Sequence, residues 1–336
     1  MSKKTETKKI TSIGGSALIE GIMMRGPKKT TVAVRTGEDS IYTEDVKMKF
    51  LGASAKIWKL PFFRGVAGLI DSMRLSYKCL MLSADKALEA GEIEEEEPSK
   101  FEKWIDEKLG DKFMKILMVF SSILGVGLAV LLFFFLPTWL FQLLGWAVPS
   151  LGEGIRNNNP DVRFWQSVGE GILKIVIFLS YILVVSQLSD MKRVFMYHGA
   201  EHKAIFCYEN DLELTVANVK AQRRFHPRCG TSFILLMLLL GIVIGLFIPP
   251  SPFGIGWLRP VIKILLLPLT TGIGYELIKF CGKHDNVLTR IISAPGLWAQ
   301  RITTKEPDES MCEVAIEAIT AVIPDDGSDI VKNGCC

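Results

Sequence analysis

The sequence predicts a mainly α-helical membrane protein with about four transmembrane helices and a small cytoplasmic α+β region at its N-terminal end. Two observations predict this fold class. The mean hydropathy is +0.29, although 22% of the residues are charged, and soluble domains rarely reach a clearly positive value. The apolar residues are also concentrated in a few long runs. A hydrophobic content of 49% excludes a disordered chain, and a net charge of +3 gives no global argument for nucleic-acid binding.

Four apolar runs are the predicted spans. About 20 apolar residues cross the hydrocarbon core of a bilayer. A buried helix of a soluble protein is the alternative for each run, and it fits the shortest run best. Because four runs follow one another, we expect a membrane domain over residues 113–280, with spans at residues 113–136, 168–188, 233–248 and 258–280 and a His-containing cytoplasmic loop at residues 189–232.

The distribution of basic residues predicts the orientation. Residues 1–112 carry 20 of the 39 Lys and Arg residues, and the loop 189–232 carries 7. Cytoplasmic segments near spans are enriched in Lys and Arg. We therefore expect both termini in the cytoplasm. The polar, basic start of the chain also argues against a cleavable signal peptide.

The segments outside the spans have distinct patterns. Residues 1–9 are predicted to be a basic disordered tail, and residues 10–112 a cytoplasmic N-terminal region. The alternating residues at 31–35 and 41–47 predict a β-hairpin. The remaining predicted segments are an amphipathic helix at 61–88, an acidic linker at 92–98, and a cytoplasmic C-terminal tail at 281–336 with a helix at 311–323 and disorder from Pro324 onwards.

Three of the four histidines lie in the central loop and suggest a metal site. His198 and His202 are four residues apart, so a helix places both imidazoles on one face. With Glu201 they form H-x-x-E-H, the inverted form of a zinc motif in which the glutamate is the catalytic base. Because no proline interrupts residues 168–226, we expect this helix to continue the second span.

The third ligand of the predicted metal site is left open between two residues. His226 and Cys229 lie on the bend that Pro227 makes before the third span. Glu276 is a possible further ligand. Imidazoles with a reduced thiol favour zinc as the one divalent metal. The alternative is that the two helical imidazoles are hydrogen-bonding residues at a packing interface.

Several arginines are candidates for contact with an anion or a partner. The possible anions are a lipid headgroup, a phosphate or RNA. Arg25 and Arg64 each adjoin a glycine, which suits a bidentate contact, although snorkelling or helix capping explains them as well. The full set is Arg25, Arg64, Arg223, Arg224 and Arg228.

Several long segments resemble the YqhQ-like family of bacterial multi-pass membrane proteins. The resemblance extends over nearly the whole chain and rests on GGSALIEGIMMRGP, PFFRGVAGLIDSM, YHGAEHKAIFCYE, HPRCGTSF, GIGYELIK and APGLWAQRITTKEPDESMCEVAI. The family is built around a domain of unknown function and is labelled as predicted metal-dependent enzymes. It implies a location in the bacterial inner (plasma) membrane.

Two functions follow as hypotheses. The first is a metal-dependent hydrolase whose site lies at the cytoplasmic membrane face, where a lipid or a membrane-protein segment is the expected substrate. The second is a non-catalytic membrane factor whose basic cytoplasmic face docks a protein-translocation complex, a ribosome or anionic lipid. Transport is a weaker third hypothesis, because few charges are expected deep in the spans. The sequence does not predict the oligomeric state.

Overall fold

The computed structural model describes residues 9–38, 40–51, 56–60, 62–91, 120–283 and 286–331. Most of the predicted basic tail, the acidic linker 92–98 and the first residues of the first predicted span lie outside the described residues. The chain divides into two compact units. Unit 1 comprises residues 1–93, 179–237 and 271–336, and unit 2 comprises residues 94–178 and 238–270.

Unit 1 contains an antiparallel sheet of four strands in sequential order. The strands are β1 Gly14–Leu18, β2 Gly21–Arg25, β3 Thr30–Arg35 and β4 Ile41–Asp45. The predicted hairpin is confirmed as β3 and β4, with Val32 opposite Glu44 and Val34 opposite Tyr42. Strands β1 and β2 were not predicted from the sequence. Their connection is a two-residue turn whose second residue, Glu20, has φ of 49°, a conformation that favours Gly or Asn over Glu.

Helices make up most of the described chain. A short 3-10 turn at Lys56–Lys59 precedes the first of them. The helices are α1 Phe63–Glu89, α2 Phe120–Ala147 with one π turn at Leu131–Phe135, α3 Pro149–Arg156, α4 Pro160–Val185, α5 Ser189–Glu209, α6 Val216–Lys220, α7 Gly230–Gly245, α8 Leu258–Leu265, α9 Leu267–Lys283, α10 Val287–Thr303 and α11 Glu309–Val322.

Both faces of the sheet in unit 1 are covered by helices. On one face, Ile22 and Met24 pack with side chains of α5 and α11, among them Ala200 and Val314. On the other face, α1 covers the sheet, and its Leu75 and Cys79 pack against side chains that include Val32 and Val34. Because alternate residues of a strand point to opposite faces, β2 and β3 are buried on both sides. This three-layer core fixes α5, which carries the predicted metal ligands.

Fewer helices of the described chain fit a membrane span than the four that the sequence predicts. Among the described residues, α2 and α4 are long and apolar enough to cross a membrane, and α8 with α9 passes as one span bent by 49°. The third predicted span corresponds to α7, which has 16 residues. At about 1.5 Å per residue it is roughly 24 Å long, short of the roughly 30 Å of a bilayer core. The structure therefore has two helices that fit a span, or three with the bent pair.

Two further expectations differ from the structure. The second span does not continue into the His-containing helix, because α4 ends at Val185 and Leu188 is extended, with φ of −67° and ψ of 137°. The described part of the C-terminal segment is also ordered: Ile330 forms a β-bridge with Thr11, whose hydroxyl donates a hydrogen bond of 2.7 Å to Asp329. The segment from Pro324 onwards is polar and contains glycine, and no local pattern in it indicates this pairing. The reason is that the partner, Thr11, lies more than 300 residues away.

Candidate metal centre

Helix α5 brings the residues of the predicted motif together in the core of unit 1. The helix is buried from Tyr197 to Cys207 except for His198, which is half-buried. His198 and His202 lie one turn apart, and their ring centroids are 4.5 Å apart. The spacing predicted a shared helix face, and the structure has it.

Cys229 completes a group of three ligands with these histidines. His198, His202 and Cys229 each offer a ligand atom, and the three atoms lie within 4.8 Å of one another. The thiol lies 3.2 Å from Nε2 of His198 and immediately before α7. In a tetrahedral zinc site with bonds of about 2.0–2.3 Å, ligand atoms are about 3.3–3.8 Å apart. Small side-chain movements would therefore suffice to hold a zinc ion.

Backbone carbonyls orient both imidazoles. Nδ1 of His198 donates to the carbonyl oxygen of Thr303 at 2.9 Å, and Nδ1 of His202 donates to that of Arg224 at 2.5 Å. A carbonyl oxygen can only accept, so Nδ1 carries the proton in each neutral ring and Nε2 keeps its lone pair. Metal-ligating histidines are typically held by a hydrogen bond of this kind.

The electrostatic surroundings favour the ligating forms. Burial is the main cause of a lowered pKa of His202, which therefore stays neutral to lower pH than an exposed histidine. Burial alone raises the pKa of Cys229, but the hydrogen bond and charge of His202 outweigh it, and the pKa of the thiol lies below its usual range. The lowered pKa of the thiol depends on a proton on His202, so ring and thiol share one proton. A metal ion that replaced this proton would leave a neutral imidazole and a thiolate, the forms that bind a metal.

Glu201 is a buried carboxylate next to these ligands. Burial is the main cause that raises its pKa to about 7, with a further rise from Cys229 and an opposing effect of His198. The amide of Gly15 hydrogen-bonds to this carboxylate, while Oε2 has no partner among the described residues. A Cβ at Gly15 would lie 2.7 Å from the carbonyl oxygen of Met23 and 2.9 Å from Cδ of Glu201, so glycine permits the approach of β1.

His226, the other predicted third ligand, lies next to the group of three but is not part of it. Its ring centroid is 5.6 Å from that of His202 and 4.7 Å from that of Phe206. Gln300 fixes its backbone, since Oε1 accepts from the His226 amide and Nε2 donates to its carbonyl oxygen, both at 2.8 Å. Of the two candidates for the third ligand, Cys229 lies beside His198 and His202. His226 lies in the loop that carries Cys229.

The possible further ligand Glu276 is engaged elsewhere in unit 1. Arg64 donates to it through Nε at 2.6 Å and also through Nη2. Arg25 lies over the ring of Phe50, with its guanidinium carbon 4.4 Å from the ring centroid. Arg25, Phe50 and Arg64 line a cavity separate from the His/Cys group.

The arginines of the central loop make internal contacts. Arg223 stacks 4.6 Å from the ring centroid of Phe206, and Arg224 donates to Glu306 at 2.9 Å. Arg228 donates to Glu209 and to the carbonyl oxygen of Thr11. Their charges therefore stabilise unit 1, which the basic composition of the loop alone did not reveal.

Gly199, Gln300 and Thr303 also shape the site, and the sequence did not predict this role. The contribution of Thr303 is a carbonyl oxygen, for which side-chain patterns contain no signal. Gly199 had a signal, because an isolated glycine inside a helix often marks close packing. A Cβ at this position would lie 2.1 Å from the carbonyl oxygen of Lys305, whose amide donates to Phe195 at 2.8 Å.

The substitution Gly199→Ala is expected to destabilise unit 1 and to disturb the metal centre. Alanine favours a helix by about 1 kcal/mol over glycine, but the atom it meets is backbone and cannot rotate away. Overpacking of this kind costs about 1–3 kcal/mol. We expect net destabilisation in a thermal or denaturant unfolding series.

A matched control for this substitution is Gly68→Ala in α1. Its Cβ would lie 3.7 Å from Tyr275, which is an ordinary contact. The gain in helix propensity should therefore exceed the steric cost of the added Cβ. Equal stability changes for Gly199→Ala and Gly68→Ala would contradict the close approach of Lys305.

The fold and the site define a mainly helical protein with apolar helices suited to a membrane and a buried His/His/Cys group able to hold a metal. The chain belongs to the family described as "Protein of unknown function (DUF1385)", which matches residues 60–325. It is 33% identical over 312 residues to the "Uncharacterized protein YqhQ" of Bacillus subtilis (strain 168), with 92% of each chain covered. No solved structure matches the chain. The resemblance to YqhQ-like proteins is thereby confirmed.

Proposed function

We propose that this protein is a metal-dependent hydrolase of the bacterial inner membrane. The metal is one divalent ion, with zinc favoured, bound by His198, His202 and Cys229. Glu201 is the general base. The single observation that carries the proposal is the geometry of the ligand set: Nδ1 of each imidazole donates to a carbonyl oxygen, and one ligand atom from each of the three residues lies within 4.8 Å of the other two.

The number and type of ligands support catalysis over a purely structural metal site. Structural zinc sites usually have four protein ligands, whereas catalytic sites have three and keep one position open. Among the described residues the group has three members. A bound zinc ion would supply Lewis acidity toward a carbonyl or phosphoryl oxygen of the substrate.

Glu201 supplies the proton transfer that hydrolysis requires. Its buried Oε2 has no hydrogen-bond partner among the described residues and is available to accept a proton from the attacking water. A carboxyl group with a pKa of about 7 exchanges protons readily at neutral pH. Glu201 then donates this proton to the leaving group, so the carboxylate is regenerated.

The proposed location is the cytoplasmic side of the inner membrane. The segments 1–112 and 189–232 carry 20 and 7 of the 39 Lys and Arg residues, which supports a cytoplasmic position for the N-terminus and for the loop with the ligands. A site on a segment that apolar helices flank in the sequence suits a lipid or a membrane-protein segment as substrate.

The alternative of a non-catalytic docking factor has weaker support. It requires the arginines of the central loop to be available to a translocation complex, a ribosome or anionic lipid. Arg224 pairs with Glu306 and Arg228 with Glu209. Because carboxylates of the same unit already neutralise these arginines, the loop presents less positive charge than its composition suggests.

Metal analysis of the purified full-length protein tests the proposal. We expect about one zinc per chain in the wild type, and loss of zinc in Cys229→Ser and in the double variant His198→Ala, His202→Ala. Each change removes ligands from the first coordination sphere, and metal binding should also weaken at acidic pH because the ligands bind in deprotonated form.

Two control variants separate ligation from general damage. Cys281→Ser removes a half-buried thiol outside the group, and His226→Asn removes the neighbouring imidazole. Both should retain zinc. A wild-type protein without stoichiometric metal, or zinc retained in Cys229→Ser, would refute the proposed site.

A further inference from the structure

A cavity in unit 1 lies outside the His/Cys group and has basic and aromatic walls. Its volume is about 500 Å³, and its walls include Arg25, Lys59 and Arg64 together with Phe50, Trp58 and Tyr275. We propose that this cavity binds the phosphate-containing headgroup of an anionic phospholipid while the adjacent apolar face of α1 lies in the membrane interface. The inference does not rest on the proposed hydrolase activity.

Among the described residues, two cations of the cavity have no carboxylate partner. Asp71 is the acidic residue in the wall, and it accepts from the amide of Leu51 at 3.0 Å and lies 3.6 Å from Arg74. Glu276 engages Nε and Nη2 of Arg64, which leaves Nη1 outside that pair.

No carboxylate of the described chain lies within ion-pair distance of Arg25 or Lys59. Arg25 is held in place by stacking on Phe50. Arginine and lysine side chains converging on one cavity are a typical phosphate-binding arrangement.

The outer face of α1 is apolar and exposed. Its inner face packs on the sheet through residues that include Leu75, Cys79 and Ala87. On the opposite face, Met73 is 64% and Tyr77 is 67% exposed. Further exposed apolar residues continue this face at helical spacing, at Phe63, Ile70, Leu80, Met81 and Leu88.

Amphipathic helices of this kind lie in the membrane interface with their apolar face buried between headgroups and acyl chains. The turn before α1 also has an apolar surface, since Ile57 and Leu60 are about half exposed. Trp58 and Lys59 of the same turn belong to the walls of the basic cavity, so the cavity and this apolar surface are adjacent.

The walls of the cavity favour a lipid over a soluble anion. Trp58 and Tyr275 are aromatic residues of the type that occupies membrane–water interfaces. Tyr275 belongs to α9, the second half of the bent apolar pair that passes as one span, so one wall continues into a segment suited to the bilayer. A phospholipid matches both features, because its phosphate meets the cations and its acyl chains meet the apolar face.

Native mass spectrometry of the full-length protein in mild detergent tests this site. The probes are phosphatidylglycerol, phosphatidylcholine and inorganic phosphate. We expect phosphatidylglycerol to bind more tightly than phosphatidylcholine, and inorganic phosphate to be a poor competitor. In the double variant Arg25→Gln, Lys59→Gln, binding of phosphatidylglycerol should weaken roughly thirtyfold, at about 1 kcal/mol for each basic residue.

Two further double variants provide the controls. Lys28→Gln, Lys29→Gln removes the same charge at exposed surface ion pairs outside the cavity and should bind phosphatidylglycerol as the wild type does. Arg25→Lys, Lys59→Arg keeps the charge and should bind phosphatidylglycerol more tightly than Arg25→Gln, Lys59→Gln, although it gives up the stacking of Arg25 on Phe50. Metal content, measured on the same preparations, reports on the hydrolase proposal separately.

Four results would each overturn the lipid assignment: equal binding of both lipids to the wild type; unchanged binding in Arg25→Gln, Lys59→Gln; loss of binding in Arg25→Lys, Lys59→Arg; and displacement of phosphatidylglycerol by an equal concentration of inorganic phosphate. The last result would assign the cavity to a free anion.

Discussion

Glu201→Gln is expected to lower the hydrolytic rate of the zinc-loaded protein by about 10²–10⁴-fold while zinc content stays at the wild-type level. The substitution keeps the shape of the side chain and removes its ability to accept a proton. Glu201 lies in the core of unit 1 and adjoins the ligands, but it is outside the group of three ligand residues. The measurement is the initial rate of hydrolysis of a chromogenic acyl ester in detergent micelles, together with metal analysis of the same sample.

The stability of this variant is expected to be preserved. Glutamine places no charge in the core, so it avoids the desolvation that raises the pKa of Glu201. Glu213→Gln is the matched control, because Glu213 is an exposed carboxylate in the same part of the chain. A rate in Glu201→Gln equal to that of Glu213→Gln would exclude the carboxylate as the base, and loss of zinc in Glu201→Gln would make Glu201 a ligand.

The sequence predicted those parts of the site that depend on local spacing. His198 and His202 share a helix face because they are four residues apart, and this follows from helix geometry alone. The choice between His226 and Cys229 depended on the path of the loop between α6 and α7. Gln300, in α10, fixes that path from 74 residues away, and a local pattern does not include such a partner.

The sheet likewise contains elements that local sequence patterns could not predict. The hairpin of β3 and β4 was predictable from its alternating residues. β1 and β2 were not, because β2 is buried on both faces and its residues Ile22, Met23 and Met24 form an unbroken apolar run. A short apolar run fits a buried strand and a helix equally well. Its identity depends on α1, α5 and α11, which cover the two faces of the sheet.

The predicted spans contained charges whose pairing is non-local. In unit 2 the structure joins Glu170 of α4 to Arg259 and Lys263 of α8, two of them fully buried. Glu170 is 89 positions from Arg259 and 93 positions from Lys263 in the chain, so hydropathy counted each as an isolated charge. Their convergence explains how an apolar segment tolerates them, since charges in spans are typically paired.

Arg259→Met is expected to destabilise unit 2 by about 3–5 kcal/mol, the usual cost of removing one partner of a buried ion pair. Arg259 has no exposed surface, and it donates to the Ser167 hydroxyl at 2.8 Å as well as to Glu170. It also donates to carbonyl oxygens at and beyond the C-terminal end of α7, those of Gly245 at 3.2 Å, Pro249 at 2.9 Å and Ile248. Methionine fills much of the volume but leaves these acceptors without a donor.

Unfolding of the protein in mixed micelles by a denaturing detergent measures this effect. Arg156→Met is the matched control, because Arg156 is exposed at the end of α3, and it should change stability by less than about 0.5 kcal/mol. Adding both Glu170→Leu and Lys263→Met to Arg259→Met should recover part of the loss, since Glu170 also pairs with Lys263 and the three substitutions together leave no member of the cluster unpaired. A loss below about 1 kcal/mol in Arg259→Met, or strict additivity in the triple variant, would contradict a coupled ion cluster that holds the end of α7 to α4 and α8.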